Sequence, residues 1–145
     1  MPGSRAYFDT SVVTKRYVRE ARASFARALL RRHRCVSSAV LPLELMSALC
    51  RRREVDDLAP RDFALIQARL SADRARWDLV EVTASVLGRA EQLVQITPLR
   101  SLDAIHIASA LVIQETAGMR LRFITADHRQ RAAAAAAGLE VVWAG

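Results

Sequence analysis

The sequence predicts an α/β domain built on a mostly parallel sheet, and three observations carry that reading. Short apolar runs alternate with longer segments of helical periodicity, the connections are short, and the runs stop at residues that open helices. The chain has 145 residues with no internal repeat and no linker, so residues 1–145 read as one domain. A 52% hydrophobic and 26% charged composition suits a chain that buries a core rather than a disordered one.

Ala6-Tyr7-Phe8 is a short apolar run ended by Asp9-Thr10-Ser11, the pattern of a buried strand passing directly into a helix. Val12, Val13, Tyr17 and Val18 continue at helical spacing, with a break expected around Glu20 to Ser24. Phe25, Ala28, Leu29 and Leu30 then mark an amphipathic helix ending in Arg31-Arg32-His33-Arg34, cations suited to a helix C-terminus. Cys35 to Val40 reads as a second strand, and Pro42 suits the first helical position, where its missing N–H costs nothing. Leu43 to Arg53 is helical. Pro60 opens a further helix with Phe63, Ile66 and Leu70 on one face, and the two make a hairpin through Glu54-Val55-Asp56-Asp57.

Trp77 to Val82 alternates as a third strand, and a helix over about 84–96 follows. After the Thr97-Pro98 break, Ser101 is placed to cap a helix with Ile105, Ala108, Leu111 and Val112 inward, ended by Gly118. Leu121 to Thr125 is a fourth strand, stopping at Asp127. The alanine run 132–137 forms a helix closed by Gly138, and Leu139 to Trp143 is the last strand.

Composition excludes several classes. No run of 18 uncharged apolar residues exists, so no membrane helix is expected, and Met1 to Arg5 lack the apolar core of a signal peptide. The expected location is the cytoplasm. Cys35 and Cys50 form no CxxC pair and read as small buried hydrophobes, while His33, His106 and His128 show no zinc-ligand spacing. The net charge of +7 is almost entirely arginine, since Lys15 is the single lysine. A planar guanidinium matches phosphate geometry, so a polyanionic partner suits this surface; a merely solvated basic face explains the bulk charge equally well.

The acids supply the chemistry. Asp9 and Asp127 close the first and fourth strands, and Glu44 and Asp103 sit in the first turns of helices. In a parallel sheet, carboxyl strand ends share one edge, and ligands bind in the crevice outside it. Each acid alone is explained as a helix cap or a partner of the helix dipole. Four together are harder to explain that way. Carboxylates ~4 Å apart repel by about 4 kcal/mol at a surface-like dielectric, a penalty that a divalent cation removes. All-oxygen ligands without Cys or His select Mg²⁺ or Mn²⁺, which activate water against a phosphodiester. His106, one turn from Asp103, reads as a packed or capping histidine, and His128 as a lesser candidate for substrate contact.

Four blocks in order resemble the PIN-domain ribonucleases, and within them the VapC-type toxins of toxin–antitoxin pairs. They are Phe8-Asp9-Thr10-Ser11 with Val12, Val13 and Lys15; Leu43-Glu44; Ser101 to Ala108; and Phe123-Ile124-Thr125-Ala126-Asp127. The resemblance spans nearly the whole chain. It implies an α/β/α sandwich, Mg²⁺ or Mn²⁺ held by the acids, and endoribonuclease activity on single-stranded RNA. It also implies a homodimer silenced by a cognate antitoxin whose tail covers the acidic pocket. By position, Asp9, Glu44 and Asp103 match the core acids, Asp127 the fourth, and Ser11 and Thr125 small polar residues near the metal.

With four acids set aside, 22 Lys and Arg face 11 acids, so cationic flanks suit an RNA backbone. Arg51-Arg52-Arg53 and Arg31, Arg32 and Arg34 are the candidates, and the hairpin of residues 43–73 is a candidate surface for a second subunit or an antitoxin helix. Two other readings stand beside the toxin. One is a non-catalytic RNA-binding or scaffolding domain whose acids only cap helices; the other is a PIN nuclease outside toxin systems.

Overall fold

A computed structural model describes residues 3–145; Met1 and Pro2, part of the N-terminal stretch discussed above, lie outside the described residues. Twelve elements alternate along it: β1 (Arg5–Phe8), α1 (Thr10–Thr14), α2 (Ala23–Arg32), β2 (Arg34–Ser38), α3 (Leu41–Glu54), α4 (Pro60–Arg74), β3 (Asp78–Val80), α5 (Ala84–Ile96), α6 (Ser101–Ala117), β4 (Arg122–Thr125), α7 (His128–Ala136) and β5 (Glu140–Trp143). The five strands form one sheet in the order β3-β2-β1-β4-β5, and every pairing is parallel.

Strand alternation builds the three layers. Ala6, Phe8, Cys35 and Ile124 face one core with Val12 and Val13 of α1, Leu29 of α2, Leu41, Leu45 and Leu49 of α3, and Phe63, Ile66 and Leu70 of α4. Their chain neighbours Tyr7, Val36 and Phe123 point the opposite way, against α5, α6 and α7. The architecture is therefore the expected α/β/α sandwich. Each fully buried Phe, Leu or Ile contributes about 1.5–3 kcal/mol, and both faces of the central strands are fully covered.

Several boundaries differ from the sequence reading for local reasons. Ser101 does not cap α6. It is the first helical residue behind Arg100, whose extended backbone (φ −73°, ψ 156°) occupies the cap position without a side-chain bond. The third strand is three residues rather than six, because β3 is an edge strand that pairs only with β2. Helix α3 starts at Leu41, one residue before Pro42, whose absent N–H still falls within the free first turn. Cys35 is buried, and its thiol is pushed up to about 12 by that burial; Cys50 is only half-buried. Gly118 and Gly138 end α6 and follow α7 with φ of +62° and +92°, the left-handed conformation that favours glycine.

One polar knot ties α4 to the segment after α1. Asp73 accepts from Arg16 Nε (2.7 Å) and Nη2 (3.2 Å) and from the Tyr17 hydroxyl (2.7 Å). Burial raises the Asp73 carboxyl, but the bonds from Arg16 and Tyr17 together outweigh it and hold it below its ordinary value. A depressed folded-state pKa means that this contribution is fully present above the unfolded value of about 3.9 and fades as pH falls further. We predict that Asp73→Asn lowers unfolding free energy by about 1–2 kcal/mol at pH 7, after allowance for the partly exposed Arg16. Urea melts at descending pH will show the two proteins converging below about pH 4.

Candidate active site

The strand order reverses at β1, so the crevice between the carboxyl ends of β1 and β4 is the sheet's topological switch point. Asp9 stands there, fully buried, one residue past β1, and its N–H donates to Ile124 O of β4 at 3.1 Å. It occupies the N-cap position of α1, yet its side chain caps nothing. Ser11 Oγ donates to Asp9 Oδ1, and Thr125 Oγ1 donates to Oδ2 at 2.5 Å. The same two hydroxyls accept backbone N–H groups, Ser11 from Ala126 (2.9 Å) and Thr125 from Asp127 (3.0 Å). With those acceptor positions filled, each hydroxyl proton is free for Asp9. Burial pushes the Asp9 carboxyl up against the pull of His106 and both hydroxyls, and the charge of Asp127 adds to the rise.

Asp127 follows β4 and caps α7, its Oδ1 accepting from the N–H groups of Arg129 (2.8 Å) and Gln130 (3.1 Å). Asp103 lies half-buried in the first turn of α6, where burial and then the charge of Asp127 raise its carboxyl above the ordinary value. Gln130 bridges these two acids: its N–H meets Asp127, and its Nε2 donates to Asp103 Oδ1 at 3.1 Å. Sequence reasoning did not single out Gln130. It lies two residues into α7, and nothing local marks a glutamine that reaches another helix.

Glu44 stands in the first turn of α3, and among the described residues no hydrogen bond joins it to this trio. Its Oε1 accepts from Thr10 Oγ1 at 2.8 Å and from His106 Nε2 at 2.6 Å. His106 is buried on α6, so the packed reading of this histidine holds, but it is also tied on both nitrogens, with Nδ1 2.9 Å from the Tyr7 hydroxyl. His128 lies against Trp143, ring centroids 4.4 Å apart.

A groove of about 850 Å³ opens over this edge, lined among others by Ser11, Glu44, Arg51, Arg100 and Asp103. Asp9 is buried next to Thr10 and Ser11, which line it. Of the arginines singled out earlier, Arg51 reaches the groove, whereas Arg52 is engaged by Glu20 and Asp57 and Arg53 lies over the Phe63 ring. Arg34 is locked onto Asp78 at the opposite end of the strands, where a second groove holds Arg16, Arg31 and Trp77. That groove's one carboxylate, Asp73, is already taken by Arg16 and Tyr17.

Pairing separates the candidate acids from the other partly buried ones. Among the described residues, Glu20, Asp73 and Asp78 are partly buried and each has an arginine partner. Asp9, Asp103 and Asp127, also buried or partly so, have no Lys or Arg within ion-pair distance, and Glu44 has only His106. As placed, no three His, Cys, Asp or Glu side chains among the described residues form a ready metal cage. The donor chemistry nevertheless suits a hard cation: all the acids offer oxygen, two of the carboxyls are raised, and the buried Gln130 Oε1 beside Asp103 lacks any donor. Mg²⁺ needs only one or two carboxylates and keeps several waters, which can donate to such an oxygen.

The fold and this edge define an α/β/α protein whose candidate site is a set of carboxylates without Lys or Arg partners at the switch point of a parallel sheet. The chain belongs to the PIN domain family, whose model matches residues 6–136. It is 37% identical over 139 residues to Ribonuclease VapC46 of Mycobacterium tuberculosis, covering 94% of this chain and 95% of that protein. It is 32% identical to Ribonuclease VapC49 of the same organism, over 93% of this chain and 92% of that one. A solved structure titled as a toxin–antitoxin complex from Klebsiella pneumoniae shares the fold, with a TM-score of 0.59 at 18% identity over 97% of this chain and 98% of that chain.

The dual role of Asp127 is testable without substrate. Asparagine caps a helix as well as aspartate and removes the charge facing Asp9 and Asp103. In chelator, Asp127→Asn is expected to melt at or above the wild-type temperature. Asp127→Ala, which loses the cap, is expected to lose about 1 kcal/mol, or roughly 3 °C in a calorimetric scan.

Proposed function

We propose that this chain is a metal-dependent endoribonuclease that acts as the toxin of a toxin–antitoxin pair. The observation that carries the proposal is the set of Asp9, Asp103 and Asp127, without a Lys or Arg partner in a chain rich in arginine, next to a groove that Asp103 lines together with Glu44, Arg51 and Arg100. The names of the M. tuberculosis relatives support RNA as substrate, and the K. pneumoniae complex supports an antitoxin as partner.

Asp9, Asp103 and Asp127 would hold Mg²⁺ or Mn²⁺, with Glu44 the fourth acid of the site. The cation supplies a more acidic water and stabilises the leaving oxygen of a phosphodiester. Ser11 and Thr125 fix both Asp9 oxygens, so that carboxylate cannot rotate away. Gln130 orients Asp103, and the cap at α7 orients Asp127. Arg51 and Arg100 lie where they can draw in flanking phosphates, which makes RNA affinity salt-dependent. A homodimer, cytoplasmic location and antitoxin docking over the groove or on α3 and α4 belong to the same proposal. Among the described residues no single helix is long and apolar enough to cross a membrane.

RNA cleavage is expected to require Mg²⁺ or Mn²⁺ and to stop with chelator. Asp9→Asn and Asp103→Asn should reduce it at least ~100-fold with melting temperatures preserved, by gel assay on single-stranded RNA. Normal cleavage by either variant would sink the assignment. The absence of a preformed three-acid cage favours a second reading, a non-catalytic RNA-binding PIN domain. A thermal melt with Mn²⁺ separates them: binding to the native state alone adds about 2.7 kcal/mol at 100 times Kd, whereas acids that only cap helices give no shift.

A further inference from the structure

The polar chain that ends at Glu44 starts in the sheet core. Tyr7 is fully buried on β1, stacked on Phe123 at 5.3 Å and edge-on to His106 at 5.9 Å. Its hydroxyl meets His106 Nδ1 at 2.9 Å, while Nε2 on the far side of the ring meets Glu44 Oε1 at 2.6 Å. The bond partners place one ring proton. Glu44 Oε1 already accepts the Thr10 hydroxyl, and a hydrogen on His106 Nε2 completes the 2.6 Å contact to the same oxygen. The Tyr7 hydroxyl meets Nδ1 and braces the far side of the ring, whichever of the two carries the hydrogen between them.

Glu44 Oε1 is thereby filled by two donors, whereas Oε2 accepts no hydrogen bond among the described residues. Glu44 lines the groove together with Asp103. We propose that His106 is a positioning residue: braced by Tyr7, it grips one oxygen of Glu44 and so presents the other to the groove. This rests on the reading of Glu44 as an acid of the ribonuclease site. A side chain as long as glutamate would otherwise lose rotamer freedom each time it was needed in place. A histidine fixed on its far nitrogen, as behind many metal-ligand residues, removes that freedom beforehand.

The test compares His106→Ala, His106→Gln, Tyr7→Phe and Glu44→Ala on single-stranded RNA with varied Mn²⁺, alongside nitrogen-15 NMR of the wild-type ring. Glutamine can place an amide N–H near the position of Nε2–H. His106→Ala is expected to lower turnover at saturating RNA ~10–100-fold and to raise the Mn²⁺ needed for half-maximal rate. His106→Gln should restore most of that loss, and His106→Ala should add nothing in a Glu44→Ala background. The NMR spectrum should show a protonated Nε2. Full activity in His106→Ala with Glu44→Ala inactive overturns this proposal alone, as does a wild-type ring with a bare Nε2. Full activity in Glu44→Ala removes Glu44 from the site and this proposal with it. If the alanine variant does not fold, His106→Gln and Tyr7→Phe decide: near-normal rates in the first with a clear loss in the second support the clamp, and the reverse overturns it.

Discussion

A carboxylate with no solvent exposure at the end of the central strand is the constraint around which this molecule is arranged. Transferring an ion of that size into a protein interior costs several kcal/mol even after relaxation, and Asp9 has no guanidinium to offset it. Its compensation comes from two hydroxyls, Ser11 and Thr125, each held in turn by a backbone N–H from the β4–α7 connection. Those four bonds close the seam between β1 and β4 beyond the last ladder pair. A well-packed apolar residue would serve stability at least as well, because buried charge is a poor way to hold a fold together. The position makes sense as a functional strain that the surrounding hydrogen bonds contain.

Helix starts share the work of containing that strain. Asp9 sits before α1, Glu44 in the first turn of α3, Asp103 in the first turn of α6, and Asp127 at the cap of α7. Each of these starts carries partial positive charge from unpaired N–H groups, worth about 0.3–1 kcal/mol to a nearby anion. The parallel topology directs Asp9, Glu44 and Asp127 toward one sheet edge, since a helix that follows a strand begins where that strand ends; α6 follows α5 instead, and Gln130 ties its Asp103 to Asp127. Capping and cation binding are therefore not rival explanations of these acids. Asp127 shows why: one oxygen caps α7, and the residue's charge still raises the carboxyls of Asp9 and Asp103.

How much of this could be read in the sequence depends on the range of the interaction. Strands with both faces buried announce themselves as short apolar runs, and α5 spans the residues its periodicity predicts because its signals are local. Edge strand β3 and the start of α6 were misjudged where local signals mislead: β3 alternates beyond its hydrogen-bonded length, and Ser101 looks like a cap beside an arginine that occupies the cap position. Arg22 opens α2 in a left-handed conformation that an arginine does not advertise. In the candidate site, the order and spacing of the acids were legible; Ser11 and Thr125 stood out only as small polar residues near a metal, and their bonds to Asp9 come from the fold. The links that orient the acids were not legible. Tyr7 and His106 are 99 residues apart, and Gln130 reaches Asp103 from another helix; only the packed sheet makes them neighbours.

Bulk charge was the least informative signal, and the structure shows the reason. The net charge of +7 suggests a uniformly cationic surface, but many arginines are engaged in pairs: Arg16 with Asp73, Arg34 with Asp78, Arg52 with Glu20 and Asp57, Arg89 with Glu115, and Arg122 with Glu140. Such pairs are worth little individually when exposed, yet they occupy the carboxylates that take part in them. In a chain with so many guanidinium groups, a partly buried acid without one has been kept clear of them by the fold. An arginine at the switch point would neutralise Asp9 and Asp103 as a cation does, but permanently and without bound water. Under the proposed function, arginines that line the groove away from these acids, as Arg51 and Arg100 do, would leave the carboxylates for an exchangeable cation and phosphate as the partner for the guanidinium groups. That separation, rather than total charge, is what a phosphodiester site under a polyanion requires.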